Sequence, residues 1–147
     1  MRLSVQTDYA LRMLMFLAVK EGHYSIAEIA RQYDISKNHL MKVAQRLVTE
    51  GFADSVRGRS GGLKLSRPAD EMNLGQIIRV MEDTGSFVEC FDASQNSCVI
   101  TPACGLRHAL VGAVEAFYSY LDQFTVADLV DKSILFDRLL EPAYTRF

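Results

Sequence analysis

Hydrophobic positions recur along this chain at helical spacing, broken once by a short alternating stretch. Residues 5–21 (VQTDYALRMLMFLAVKE) are apolar almost all the way round, through Leu11, Met13, Leu14, Met15, Phe16, Leu17 and Val19. A helix with so little polar face is buried on most sides, so it is expected to be the hub of an N-terminal domain or to be shared with a partner subunit. Gly22 ends it. Ser25-Ile-Ala-Glu28 has the form of a capping box and opens a short helix from Ile26 to about Tyr33, with Ile26, Ile29 and Ala30 inward. Asp34-Ile35-Ser36 then makes a tight turn. A further helix runs from Lys37 to Glu50 and turns Leu40, Val43, Ala44, Leu47 and Val48 to the core.

Two short helices joined by so tight a turn read as a helix-turn-helix, although a helical hairpin in a bundle has the same periodicity. Two features favour the former. The outward face of the second helix offers Ser36, Lys37, Asn38, His39, Lys42, Gln45 and Arg46, with no carboxylate before Glu50. These side chains can donate to phosphates and base edges. Next come Phe52–Val56, the glycine-rich run Arg57-Gly58-Arg59-Ser60-Gly61-Gly62, and Leu63–Ser66, which alternate as a β-hairpin does. A hairpin directly after a recognition helix is a wing, and Arg57, Arg59, Ser60, Lys64 and Arg67 make it a basic, polar one.

Pro68 closes the wing, and Asn73-Leu-Gly-Gln76 caps a helix to about Asp83 with Leu74, Ile77, Ile78 and Met81 inward. After a polar loop, a long helix is expected to about Gln123. Its apolar residues Leu106, Leu110, Ala113, Phe117, Tyr120 and Phe124 are spaced 4, 3, 4, 3, 4. That is the seam of a helix packed lengthwise against another, and Gly105, Ala109, Gly112 and Ala116 permit close approach. A homodimer interface is the expected use; packing within the chain is the alternative. Thr125-Val-Ala-Asp128 caps a last short helix. The pattern divides the chain into a winged helix-turn-helix domain (1–70), a connecting helix (71–84), a loop (85–104), a dimerisation helix with its short successor (105–131) and a tail (132–147). The fold class is mainly α with a small β-hairpin wing.

Composition is that of an ordinary soluble domain, 49% hydrophobic and 23% charged. Neither a membrane-length apolar run nor a signal-peptide layout is present, so a cytoplasmic location with no membrane partner is expected. The net charge of −2 conceals an asymmetry. Residues 1–70 hold eleven Lys/Arg against seven Asp/Glu, and residues 71–147 hold five against eleven. A basic first half suits a nucleic-acid reader joined to something else.

The loop carries the chemistry. Cys90, Cys98 and Cys104 are the only cysteines, in the pattern C-x7-C-x5-C. An odd number means that disulfides cannot use them all, and soft thiolates gathered on one loop suit zinc or an iron–sulfur cluster, which spacing cannot separate. Packing and thiol redox chemistry are the other readings. No nucleophile–base pair, phosphate-binding glycine loop or metal-hydrolase motif is evident, so an enzyme is not expected.

Several segments together resemble the Rrf2-type winged-helix regulators over nearly the full length. They are Thr7-Asp8-Tyr9-Ala10-Leu11-Arg12, Ser36-Lys37-Asn38-His39-Leu40-Met41-Lys42-Val43, Val56-Arg57-Gly58-Arg59-Ser60-Gly61-Gly62, Ile100-Thr101-Pro102-Ala103-Cys104 and Tyr120 to Leu129. The nearest likeness is to the nitric-oxide-sensing branch. The resemblance implies a homodimeric repressor of a palindromic operator, with an iron–sulfur cluster on the three cysteines, 4Fe-4S favoured over 2Fe-2S. It also implies a fourth ligand from an aspartate near the partner's N-terminus, a place Asp8 occupies, and nitric oxide as the effector that lowers operator affinity. The seven-residue spacer between Cys90 and Cys98 is longer than in many relatives. Regulators of iron–sulfur assembly and iron supply share the loop, so iron status is the alternative signal, and a cluster-free thiol switch a second one. Assembly-type members carry a ligand histidine three residues after the last cysteine. Here that position is Arg107, and His108 is rotated from it by about 100°, so Asp8 ranks above His108.

Overall fold

Helix α1 (Val5–Val19) is the element around which the others assemble. Ser4 caps it, its Oγ accepting the Thr7 N–H at 3.1 Å, and Met13, Leu14, Phe16 and Leu17 are buried. The computed structural model describes residues 3–20, 22–58, 61–82 and 87–130. Within them follow α2 (Ile26–Tyr33), α3 (Lys37–Thr49), β1 (Ala53–Val56), β2 (Gly62–Leu65), α4 (Leu74–Met81), α5 (Gly105–Leu121) and α6 (Val126–Leu129), with short 3-10 turns at Ala69–Glu71, Glu89–Phe91 and Thr101–Ala103. This is a winged helix-turn-helix followed by a long helix.

Local chemistry sets the helix-turn-helix. The Ser25 and Glu28 side chains exchange hydrogen bonds with each other's backbone at the head of α2, and the Ser25 hydroxyl and N–H hold the Glu28 carboxyl below its usual range. At the other end Asp34 adopts a left-handed conformation (φ 52°), and the Ile35 N–H returns to the Ala30 carbonyl at 3.0 Å. That is a Schellman closure, with an aspartate in the place glycine usually takes. Tyr33 is fixed from the same turn: its hydroxyl donates to the Arg12 carbonyl at 3.0 Å, and burial pushes its phenol up to about 12.

The wing pairs Ala53 with Leu65, Asp54 with Lys64, Ser55 with Leu63 and Val56 with Gly62 in an antiparallel register. A feature absent from the sequence pattern joins it: Tyr24 and Leu63 exchange two backbone hydrogen bonds, so the segment before α2 adds a one-residue third strand. This close approach requires glycine at position 62, where a Cβ would stand 2.5 Å from the Tyr24 carbonyl.

Two apolar clusters result. The larger unites α1, α2, α3, the wing and the inner face of α4 through Ile29, Leu40, Leu47, Leu63, Met72 and Ile77. The smaller gathers Leu74, Ile78 and Tyr118 with Val114, Phe117, Leu121, Phe124 and Leu129 around them, and Leu11 touches both. The stripe expected on α5 is therefore divided. Phe117 and Phe124 pack against α4 of the same chain, Leu110 is half-buried, and Leu106, Ala113 and Tyr120 face outward. A straight helix drifts about 20° per heptad against a 3.5-residue repeat, so one stripe can serve two neighbours.

The joint between α4 and α5 is polar as well as apolar. Arg79 grips Asp122 through two hydrogen bonds of 2.5 and 2.6 Å and lies over the Tyr118 ring, while Asn73 Nδ2 donates to the Asp122 carbonyl at 2.7 Å. The Arg79 guanidinium holds the Asp122 carboxyl below the ordinary carboxylate range. Stabilisation from this pair is complete above the unfolded carboxylate value of about 4 and is lost as pH falls through the depressed folded value. An acid-unfolding comparison with Asp122→Asn should therefore show the two proteins differing above about pH 4 and converging below it. A constant difference at every pH would remove the pair from the account.

Candidate functional site

Two groups of candidate residues stand out, one before α4 in the chain and one after it. The first is the outer face of α3 with the wing. Lys37, Asn38, His39 and Lys42 are all exposed, and so is Gln45. Ser36, the N-cap of α3, makes no side-chain capping bond and leaves its hydroxyl outward. On the wing Arg57 is exposed, and Lys64 faces Asp54 across the hairpin at 3.9 Å, both half in solvent. Arg59 and Ser60 lie outside the described residues. A cavity of about 270 Å³ opens between the heads of α2 and α3 and the wing, lined by Ser25, Lys37, Met41, Ser55 and Gly62 among others.

Arg46 does not belong with this outward face. Its Nη2 donates to the Val80 carbonyl in the last turn of α4 at 2.5 Å, so it satisfies a helix-end carbonyl instead of facing solvent. Helical spacing places Arg46 beside Lys42 on the rim, and only the position of α4 draws it inward.

The second group is the cysteine loop. Cys90 sits in the 3-10 turn Glu89–Phe91, Cys98 in the following loop, and Cys104 is the N-cap of α5, its Sγ accepting the Arg107 N–H at 3.4 Å. None of the three is in a disulfide, and all are half-buried. Side-chain bonds shape the loop between them. Asp92 Oδ1 accepts from the Ser94 N–H and hydroxyl at 2.9 and 2.6 Å, and these donors, the hydroxyl first, hold its carboxyl below the usual range. Asn96 Oδ1 accepts from the Cys98 N–H at 3.1 Å and the Thr101 hydroxyl at 3.2 Å. The Arg107 side chain spans the loop, its Nε donating to the Cys90 carbonyl at 3.1 Å. Sequence reasoning passed over Arg107 as a missing histidine; the structure gives it a role.

The donor set suits a thiolate-held iron–sulfur group: three soft ligands on one short segment, one of them at a helix N-terminus that favours negative charge. Among the described residues no three His, Cys, Asp or Glu side chains stand close enough together to hold a metal ion, so the loop is not a ready-made cage within a single chain. Asp8 lies in the first turn of α1 and is paired with Arg12 at 2.8 Å, both side chains about half exposed. His108 is exposed on α5.

A recognition helix, a β-wing and a trailing long helix define a winged-helix transcriptional regulator. The chain belongs to the Rrf2 family: the family model, described as an iron-dependent transcriptional regulator, matches residues 3–132. The chain is 48% identical over 132 residues to the HTH-type transcriptional regulator NsrR of Bacillus subtilis, covering 88% of this chain and 90% of that one. Among solved structures it resembles CymR, the global cysteine regulator of B. subtilis, with a TM-score of 0.71 and 29% identity over 90% of this chain and 98% of that one. T. potens IscR shares the fold, with a TM-score of 0.71 at 23% identity over 100% of this chain and 97% of that one. These relatives are regulators, not enzymes. No described helix is long and apolar enough to cross a membrane.

Proposed function

We propose that this protein is a homodimeric repressor that reads a palindromic operator with α3 and the wing, and releases it in response to nitric oxide. The sensing site is an iron–sulfur cluster, 4Fe-4S in preference to 2Fe-2S, on Cys90, Cys98 and Cys104, with Asp8 of the partner subunit as fourth ligand. The likeness to NsrR regulators supports the effector, and the three thiols on one loop support the cofactor. The exposed side of α5, with Leu106, Ala113 and Tyr120 among small residues, offers the surface for a second copy.

The position of α4 carries this reading. Its last turn receives Arg46 from the recognition helix at Val80, and its capping residue Glu82 accepts the Ser4 N–H at the head of α1 at 2.6 Å. The same last turn carries Arg79, which fastens α4 to Asp122 at the C-terminal end of α5, and the chain then runs on toward the cysteine loop. A change in the set of that loop would reach α3 and the head of α1 through α4, which is bonded to both. Cys90, Cys98, Cys104 and Asp8 of the partner subunit would hold the cluster, which would supply iron able to bind a small ligand such as nitric oxide. Cys90 and Cys104 hold the loop against α5, α4 holds Arg46, and Arg46 sets the tilt of α3. Two recognition helices must lie about one DNA turn apart, and a 10–100-fold change in operator affinity needs only about 1.4–2.7 kcal/mol of coupling.

The test is an anaerobic absorbance spectrum with iron and sulfide assays on the same sample, followed by nitric oxide titration with a DNA-binding readout. A visible band that nitric oxide bleaches, with parallel loss of DNA binding, is expected. Protein that stays colourless after reconstitution would sink the cluster reading and leave a thiol switch. Asp8→Ala retaining full nitric oxide sensitivity would remove Asp8. The family model's iron-dependent description favours a second reading, in which iron status is the signal. DNA release on iron limitation, with indifference to nitric oxide, would establish that instead.

A further inference from the structure

Arg107 is half-buried in the first turn of α5 and touches the cysteine site twice. Its backbone N–H meets Cys104 Sγ, and its side-chain Nε reaches back seventeen residues to the Cys90 carbonyl. These two contacts bring the first and third cysteines to one helix end. Nothing else described does this: the other side-chain bonds of the loop join Asp92 to Ser94, and Asn96 to Cys98 and Thr101, within five residues of one another. The guanidinium has further donors to offer, and among the described residues it pairs with no carboxylate. A half-buried guanidinium bonded to the Cys90 carbonyl, on the residue whose backbone N–H meets Cys104 Sγ, and with no acidic partner among the described residues, is placed to meet negative charge.

We infer that Arg107 is the positioning residue of the cysteine site. Its Nε–H holds Cys90 beside Cys104 before any metal arrives, and its remaining N–H edge offsets the charge of the thiolates once they bind. The inference rests on the reading of the cysteines as metal ligands, and it concerns only this chain's own residues. A guanidinium suits the task better than an ammonium, because one planar group can bond a carbonyl and still present donors to an anion.

The experiment uses reduced, metal-free, full-length protein titrated anaerobically with cobalt(II). Thiolate-to-cobalt absorption reports whether the cysteines bind together, independently of cluster assembly. Arg107→Met should weaken cobalt binding by about tenfold, the scale of losing a charge-assisted contact behind a metal ligand, and Arg107→Lys should recover part of it. Thermal unfolding of the metal-free variants should match wild type. If Arg107→Met melts early, Arg107→Gln is measured instead, since it removes the charge and keeps a donor. Wild-type cobalt affinity in the folded variants overturns the role of Arg107 while leaving the metal site standing. Wild-type protein with no thiolate absorption overturns the metal reading itself, and this inference with it.

Discussion

Cys104→Ser protein should emerge from anaerobic reconstitution with its iron and sulfide greatly reduced, yet fold at least as well as wild type. The two halves of that expectation come from the two jobs of the residue. As N-cap of α5, the Cys104 sulfur accepts a backbone N–H at 3.4 Å, a long, weak bond to a soft acceptor. Serine is a preferred N-cap whose oxygen forms a shorter bond, so the metal-free variant should gain up to about 0.5–1 kcal/mol. As a ligand, serine oxygen is a hard donor and a poor match for cluster iron. Changes one shell further out already lower metal affinity by about 10–100-fold, so loss of a direct ligand should exceed that. Iron and sulfide assays on reconstituted protein, with thermal melts of the metal-free forms, check both halves. Full cluster loading in Cys104→Ser would exclude this thiol as a ligand. A large fall in melting temperature would mean that the cysteine serves packing.

Leu47→Ala should cost about 3–5 kcal/mol, while Lys42→Ala, about one turn earlier on the same helix, should cost almost nothing in stability and weaken DNA binding instead. Leu47 is fully buried in the core cluster that α3 shares with α1, and truncation there leaves a cavity among its packed neighbours. Against a total stability of about 5–15 kcal/mol, that is a large share, and the melting temperature should fall by roughly 10 °C or more. Lys42 is exposed on the outer face of α3. If it meets a DNA phosphate, its removal lowers affinity for all sequences alike and reduces the salt slope by about 1. Urea unfolding and salt-dependent DNA binding on both variants separate the faces. Equal stability loss in the two would contradict the assignment of α3's inner and outer sides.

Much of this architecture is written in short-range chemistry and so is legible without coordinates. The capping box of Ser25 and Glu28, the Asn73 cap of α4, the periodicity of α3 and the glycine-rich turn of the wing each act within a few residues. The observed bounds differ from the expected ones by one or two residues, as fraying and capping ends do. The cysteine spacing is likewise a linear property, and the family segments follow the same order along the chain.

What the chain alone could not convey is which neighbour covers a given face. Periodicity marks Phe117 and Phe124 as apolar, but only the docking of α4 turns them inward and leaves Leu106, Ala113 and Tyr120 outside. Spacing sets Arg46 among DNA-facing donors, and only the nearby Val80 carbonyl recruits it. The Tyr24–Leu63 bridge, the demand for glycine at 62, the Arg79–Asp122 clasp and the reach of Arg107 to Cys90 join residues far apart in sequence. Sequence by itself determined the helices, the wing and the ligand-bearing loop, because hydrogen bonds and apolar faces within one element obey local periodicity. Tertiary structure decided the partners of long polar side chains, because their energy depends on which unsatisfied carbonyl or carboxylate the fold brings within about 3 Å.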